Sequence, residues 1–325
     1  MKYPLAPAVA LPALVLAGAA LLVLSLATGS LPLTARELAD AMFSGEPSLA
    51  RDVVLDLRLP RALAAFAVGG LLAVAGAMLQ VLLRNPLADP YVLGVSGGAS
   101  VFALLAIMAG LPAVGVDTAA AIGAFAACLL VFAIAQGQGG WTPTRLLLTG
   151  IVVAAGAGSV VSVLLALSDD TGLRGMVFWL LGDLSRTRRW AWLVALLAVA
   201  AVGGAALGRH LNVLARGLTQ AASVGMDVRR FQVLLFFASS VLTGAAVSAA
   251  GAIGFVGLIT PHVARLALGS DNRLVLPASA LLGGILLMAA DLASRALIAP
   301  RQLPVGALTA LVGVPLFLAL MSRQR

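Results

Sequence analysis

The sequence predicts an all-α integral membrane protein of about ten spans, and three observations carry that reading. The chain is 61% hydrophobic and only 10% charged, whereas soluble domains carry about 25% charged residues. Its apolar runs recur at roughly the 20-residue length that crosses a bilayer. Those runs do not alternate polar and apolar residues with period two, as a membrane β-barrel would. A soluble fold of 325 residues could bury a core, but it could not hide this much apolar surface.

In chain order the expected spans are 8–28, 62–82, 92–109, 117–135, 146–167, 191–208, 231–250, 256–268, 275–298 and 305–321. The first, behind Lys2, has an apolar core too long for a signal peptide and reads as a retained span. The third follows Pro86 and Pro90, which forbid a continuous helix. Asn85 before the first proline and Asp89 before the second favour local turns, so Leu87 is pushed off the helix line. Such a bend suits either a pore plug or an ordinary tight connection. The eighth span is too short to cross alone and needs protein around it. The longest polar stretches are 29–61, 168–190 and 209–230. None is long enough to fold alone, so 1–325 reads as one transmembrane domain. Thirty-five glycines, many among alanines, suit close helix packing in a bilayer. The single cysteine, Cys128, excludes an internal disulfide and reads as a small core residue.

With both termini on one side, Arg36, Arg51, Arg58, Arg61, Arg174, Arg186, Arg188, Arg189, Arg295 and Arg301 share the far side. Lys2, Arg323, Arg325 and the remaining arginines balance them, with Arg265 unassigned, so the positive-inside rule does not decide orientation. Residues 69–94 and 244–269 align without a gap at an offset of 175, pairing Gly69 with Gly244, Gly76 with Gly251, Pro86 with Pro261 and Gly94 with Gly269. An odd number of spans separates the copies, so they would run in opposite directions. Inverted repeats are a transporter signature.

Several chemistries are excluded or weakened. The only lysine is Lys2, so the chain has no Walker A loop and no ATPase site of that type. His210 and His262 lie in different segments, and no Cys/His cluster has metal-ligand spacing. Gly94-Val95-Ser96-Gly97-Gly98 spells G-x-S-x-G, but a nucleophile elbow needs a strand before it. The glycines there suit close approach of a helix or cargo.

Three segments then match a known family. "RLPRALAAFAVGGLLAVAGAMLQVLLRNPLADPYVLGVSGGA", "GAIGFVGLITPHVARLALGSDNRLVLP" and "DLASRALIAPRQLPVGALTALVGVPLFLALM" resemble the FecCD-type permease subunits of bacterial ATP-binding-cassette importers for iron-siderophores, haem and vitamin B12. The resemblance implies a homodimer of ten-span subunits in the inner membrane with both termini cytoplasmic. It implies two separate ATPase subunits on the cytoplasmic face, which bind ATP-Mg, and a periplasmic binding protein on the other. No cofactor or metal bound by this chain is implied, and no nucleic-acid partner.

The resemblance also assigns residues. Arg58, Arg61 and Arg295 match arginines that meet acidic residues of the binding protein. Local pairing with Asp52 and Asp56, or service as snorkelling anchors, is the competing reading, and Arg295 lies i+4 from Asp291. The ATPase contact falls on "LNVLARGLTQAASVGMDVRR", residues 211–230, with Leu214, Arg216, Gln220, Ala221, Ala222, Gly225 and Arg229 as candidates. Gln220 stands where the family pattern has glutamate. Asn85 and Leu87, with Pro143 and Thr144, match cytoplasmic gates. Haem or another iron complex is the favoured cargo, with cobalamin the alternative. Two other classes remain open: a proton-coupled carrier using Asp291, an intramembrane acid, and an intramembrane serine hydrolase at Ser96.

Overall fold

The structure, a computed structural model, describes residues 6–29, 32–136, 142–185, 187, 190–299 and 301–322. Lys2, Arg186, Arg188, Arg189, Arg323 and Arg325, which enter the charge balance between the two sides, lie outside the described residues.

Among the described residues all regular structure is helical. Helix α1 is Pro7–Ala27, and α2 is Ala35–Phe43. Thr34 and Glu37 form a reciprocal capping box at the start of α2, satisfying two orphan backbone donors. Its Leu38 and Ala41 pack with Leu26 and Val54 beneath the end of α1.

Helix α3 runs Leu49–Leu82 and starts well before the expected 62. Its first turns carry Asp52, Asp56 and Arg58, which hide the helix from a hydropathy reading, and Val53–Arg58 is wound as a π-helix. Of its most apolar stretch, 89% is buried. It is the central post of the fold. The small side chains explain why: at Gly69 an added Cβ would stand 2.1 Å from the Gly283 carbonyl oxygen, so the two backbones touch.

The remaining helices are α4 Val95–Met108, α5 Ala113–Ala135, α6 Pro143–Leu167, α7 Asp170–Leu180 and α8 Trp190–Arg216. They are followed by α9 Leu218–Ser223, α10 Val228–Ala250, α11 Val256–Leu268, α12 Asn272–Ala296 and α13 Val305–Ser322. Helices α8, α10, α11 and α12 surround α3, while α4, α5 and α6 form a second layer beside α10.

Seven of these helices are long and apolar enough to cross a membrane, and three shorter apolar helices accompany them. They fall on the ten expected spans. Helix α11 matches 256–268 and is encased as its length requires, with Val256 through Pro261 all buried. Two expectations are corrected. The polar stretch 209–230 is not a loop from its start, because α8 continues to Arg216. The gapless repeat does not hold position by position: Gly76 lies inside α3, whereas Gly251 ends α10 at φ +72°. Pro86 lies outside any helix, whereas Pro261 lies inside α11. The two copies share glycine spacing but not backbone: Gly76 presses on the Gly257 carbonyl, whereas Gly269 has open space around it at φ +86°.

Candidate functional site

The three docking arginines of the sequence reading line one cavity of about 820 Å³. It is bounded by the end of α1, the start of α3, Leu184, Ser185, Thr187 and Trp190, and the end of α12 with Gln302 beyond it. The arginines do not act alike. Arg58 is buried at 5% exposure and donates to the Leu26 carbonyl at 2.6 Å and the Ala27 carbonyl at 3.3 Å. Those are orphan acceptors at a helix C-terminus, where a cation is favoured. Arg61 donates through Nε to Asp291 Oδ1 at 2.8 Å and through Nη1 to Gln302 at 3.0 Å. Arg295 donates through Nε to Asp291 Oδ2 at 3.1 Å and through Nη2 to Ser25 Oγ at 2.8 Å.

Asp291 is fully buried, and each of its oxygens is held by a different guanidinium. The i,i+4 pair with Arg295 is therefore present. The alternative pairing of Arg61 with Asp52 or Asp56 is not, because Arg61 reaches across to α12. Two cations share one carboxylate, so a positive charge is left over beside Arg58. Asp291 lies behind the cavity wall, and exposed Asp56 is the acid among the described lining residues.

The opposite end of α12 carries a second polar junction. Asp271 caps α12 and accepts from Asn212 Nδ2 of α8 at 2.7 Å. Asn212 Oδ1 in turn accepts the Asn272 backbone N–H at 2.8 Å. Hydrogen bonds from Arg273 hold the Asp271 carboxyl well below the usual range. Helix α12 has 25 residues, a length of about 37 Å, so the arginine cavity and this junction sit at opposite ends of the bundle.

Helix α9 follows directly from that second end. It is flanked by Gly217 at φ +139° and Gly225 at φ +83°, conformations that favour glycine. Of the predicted coupling residues, Arg216, Gln220, Ala222 and Arg229 are exposed. Leu214 and Ala221 are fully buried and seat the helix instead. Val224, 70% exposed, is an apolar knob that the sequence reading missed, because a single valine in a polar stretch carries no periodic signal.

At the same end lies the loop 83–94. Asn85 Oδ1 accepts the Leu87 N–H at 2.9 Å, the local turn expected of an Asn before Pro-Leu. Leu87 is 44% exposed. Desolvation pushes the Asp89 carboxyl up to about 6, although it accepts the Tyr91 N–H. Pro143 and exposed Thr144 open α6, with Thr142 as its cap. The loop touches α6 further along, where a Cβ at Gly150 would stand 2.0 Å from the Val92 carbonyl oxygen.

Ser96 lies in the first turn of α4 after a short 3-10 turn, not after a strand. Gly98 packs on Gly123 of α5. The glycines of the G-x-S-x-G motif thus serve helix contact. Among the described residues no three His, Cys, Asp or Glu side chains form a metal-holding group.

A buried helical bundle with a cationic cavity at one end and a small exposed helix between two spans at the other defines a polytopic transport subunit. A family model described as the FecCD transport family matches residues 15–323. The chain belongs to that family, which is one of permease subunits of ATP-binding-cassette transporters. It is 45% identical over 301 residues to the cobalamin import system permease protein BtuC of Halobacterium salinarum, covering 90% of this chain and 80% of that one. It is 42% identical over 278 residues to the hemin transport system permease protein HmuU of Yersinia pestis, covering 83% of each. A solved inward-facing conformation of a metal-chelate type ABC transporter matches 98% of this chain and 99% of its own with TM-score 0.85 and 30% identity.

Proposed function

We propose that this chain is the membrane permease of an importer for a bulky metal tetrapyrrole, driven by a separate ATPase that holds ATP-Mg. The placement of two unlike surfaces at opposite ends of one bundle carries this reading. The arginine cavity suits acidic side chains of a binding protein outside the cell. Opposite charge across such a contact supplies register and on-rate. The exposed face of α9, with Val224, suits a groove on a cytoplasmic ATPase. In this proposal both termini, the loop 83–94 and α9 belong to the cytoplasmic side.

A second copy of the chain completes the path. Helix α6 is only 6% buried across its most apolar stretch, and α13 leaves Leu311, Val312 and Leu318 exposed. Lipid covers part of this surface and a twin covers the rest. Transport is by alternating access: nucleotide binding favours one arrangement of the bundle and release favours the other, since equal affinity for both would shift nothing. Chemistry on the cargo is not required.

The sequence reading places haem or another iron complex first, with cobalamin the alternative. Relatives named for cobalamin and for hemin are nearly equally similar to this chain, which supports the macrocycle class common to both. Asp291 anchors two arginines through both oxygens, which argues against its serving as a proton carrier. The test is uptake into liposomes holding the chain with its partner ATPase. Haem or cobalamin accumulates only when ATP is supplied, and a ferric hydroxamate accumulates less. Accumulation by the chain alone under a pH gradient would overturn the reading.

A further inference from the structure

Gln80 stands one helical turn beyond Gly76 on the same face of α3. At Gly76 an added Cβ would come 1.9 Å from the Gly257 carbonyl oxygen, so α3 and α11 meet backbone to backbone. That approach brings the Gln80 amide, 3% exposed, against α11. Its Nε2 lies 3.2 Å from the Leu258 carbonyl, 3.3 Å from the Ala88 carbonyl and 3.5 Å from the Gly257 carbonyl. Its Oε1 accepts from Arg265 Nη1. The amide orientation is dictated by these neighbours: reversed, it would set its NH₂ against a guanidinium and its oxygen against three carbonyls.

Pro261 explains why a side chain is needed there. It has no N–H, so the Gly257 carbonyl four residues earlier lacks its helical donor. Gln80 brings a donor to that gap and shares it with Ala88 in the loop 83–94. A second bond ties the same loop to the segment before α11. Tyr91 Oη donates to the Ile253 carbonyl at 2.8 Å and accepts the Ile253 N–H at 2.6 Å.

The end of α10, which leads into that segment, is bonded at and beside the arginine cavity. Thr187, in the cavity wall, donates to the Ala249 carbonyl at 2.8 Å, and the Asp183 N–H donates to the Ala250 carbonyl at 2.9 Å. A continuous set of buried and part-buried contacts therefore runs from the cavity wall through the end of α10 and through α11 to the loop at the other face.

We infer that Gln80 is a positioning residue that makes the loop 83–94 move as one body with α11, so that displacement at the cavity end reaches Asn85 and Leu87. The consequence for transport rests on the proposed gate at those two residues. The mechanical link itself does not.

The experiment uses the full chain in nanodiscs with its partner ATPase. Cys128 is replaced by alanine, and Leu87→Cys introduces the one reactive thiol. Maleimide labelling is followed with and without trapped nucleotide, and hydrogen exchange of the loop amides is measured in parallel. Gln80→Met removes both halves of the clip. Gln80→Glu keeps an acceptor for Arg265 and loses the amide donors, and it serves if the methionine variant does not fold. In the parent, nucleotide changes the labelling rate. In both variants the slower rate rises roughly fivefold, the change one lost buried hydrogen bond supports, and loop exchange accelerates. Parent-like labelling and parent-like exchange in both variants would overturn the inference. If nucleotide leaves parent labelling unchanged, the gate reading fails. Loop exchange then decides on Gln80 alone: acceleration in the variants upholds the link, and no acceleration ends it.

Discussion

Asp291 sits where its exposure is zero and holds a guanidinium on each oxygen. Such a pair is weak evidence for stability, because desolvation offsets the attraction, but breaking it is costly. Asp291→Asn would leave Arg61 and Arg295 facing each other without a counter-charge. The expected loss is about 3 kcal/mol or more, seen as a lower thermal midpoint of the detergent-purified chain, together with weaker docking of the binding protein. A midpoint within a degree of the parent would show that the two arginines find other partners. Residue-scale reading of the sequence placed Arg58, Arg61 and Arg295 on one surface, and the cavity unites them. It did not separate Arg58, whose guanidinium is spent on the carbonyls ending α1. That partner lies 32 residues away in the chain, and no local spacing reveals it.

Glycine marks two different situations at the scale of the helices. At Gly76 an added methyl group would overlap the Gly257 carbonyl, whereas at Gly156 on α6 nothing lies within 4 Å. Gly76→Ala should therefore force α3 and α11 apart and cost about 3 kcal/mol, the upper part of the range for overpacking. Gly156→Ala should leave the subunit's thermal midpoint unchanged. Fluorescence-detected size-exclusion on heated samples compares them directly, and equal midpoints would refute the packing account. In sequence the two glycines look alike, each flanked by alanine and small residues. Hydropathy found the spans because each, long or short, is strongly apolar. It missed α2 and α7, which are short and mixed, and the first turns of α3, which carry charge. The boundary of α8 was missed for the same reason: Arg209, His210 and Asn212 are polar, but helix hydrogen bonding continues beneath them.

The whole molecule joins one well-enclosed post to several poorly covered helices. Helix α3 is 89% buried in its most apolar stretch and α6 only 6%, a contrast that one subunit in lipid tolerates and a twin would remove. Gly156→Trp tests this at its proper scale. The tryptophan has room within one subunit, so the fold should persist, while native mass spectrometry should show monomer in place of dimer. A dimer retained at parental strength would place the twin elsewhere. Orientation also belongs to this scale. The count of basic residues on each side is nearly even and does not decide. The opposite placement of the arginine cavity and α9 along α12 supplies a physical reason for the arginines on the far side.

The sequence by itself determined the class of the protein. Apolar runs of bilayer length admit only helices, since backbone polar groups in lipid must be satisfied within the segment, and the ten spans follow from that. Its motifs determined the family. Only the tertiary structure decided that Asp291 is shared by two arginines, that Gln80 closes the gap left by Pro261, and that the echoed glycines occupy unlike backbone. Each of these joins residues more than a hundred positions apart or turns on which helix lies opposite, and neither a hydropathy window nor a motif contains that information.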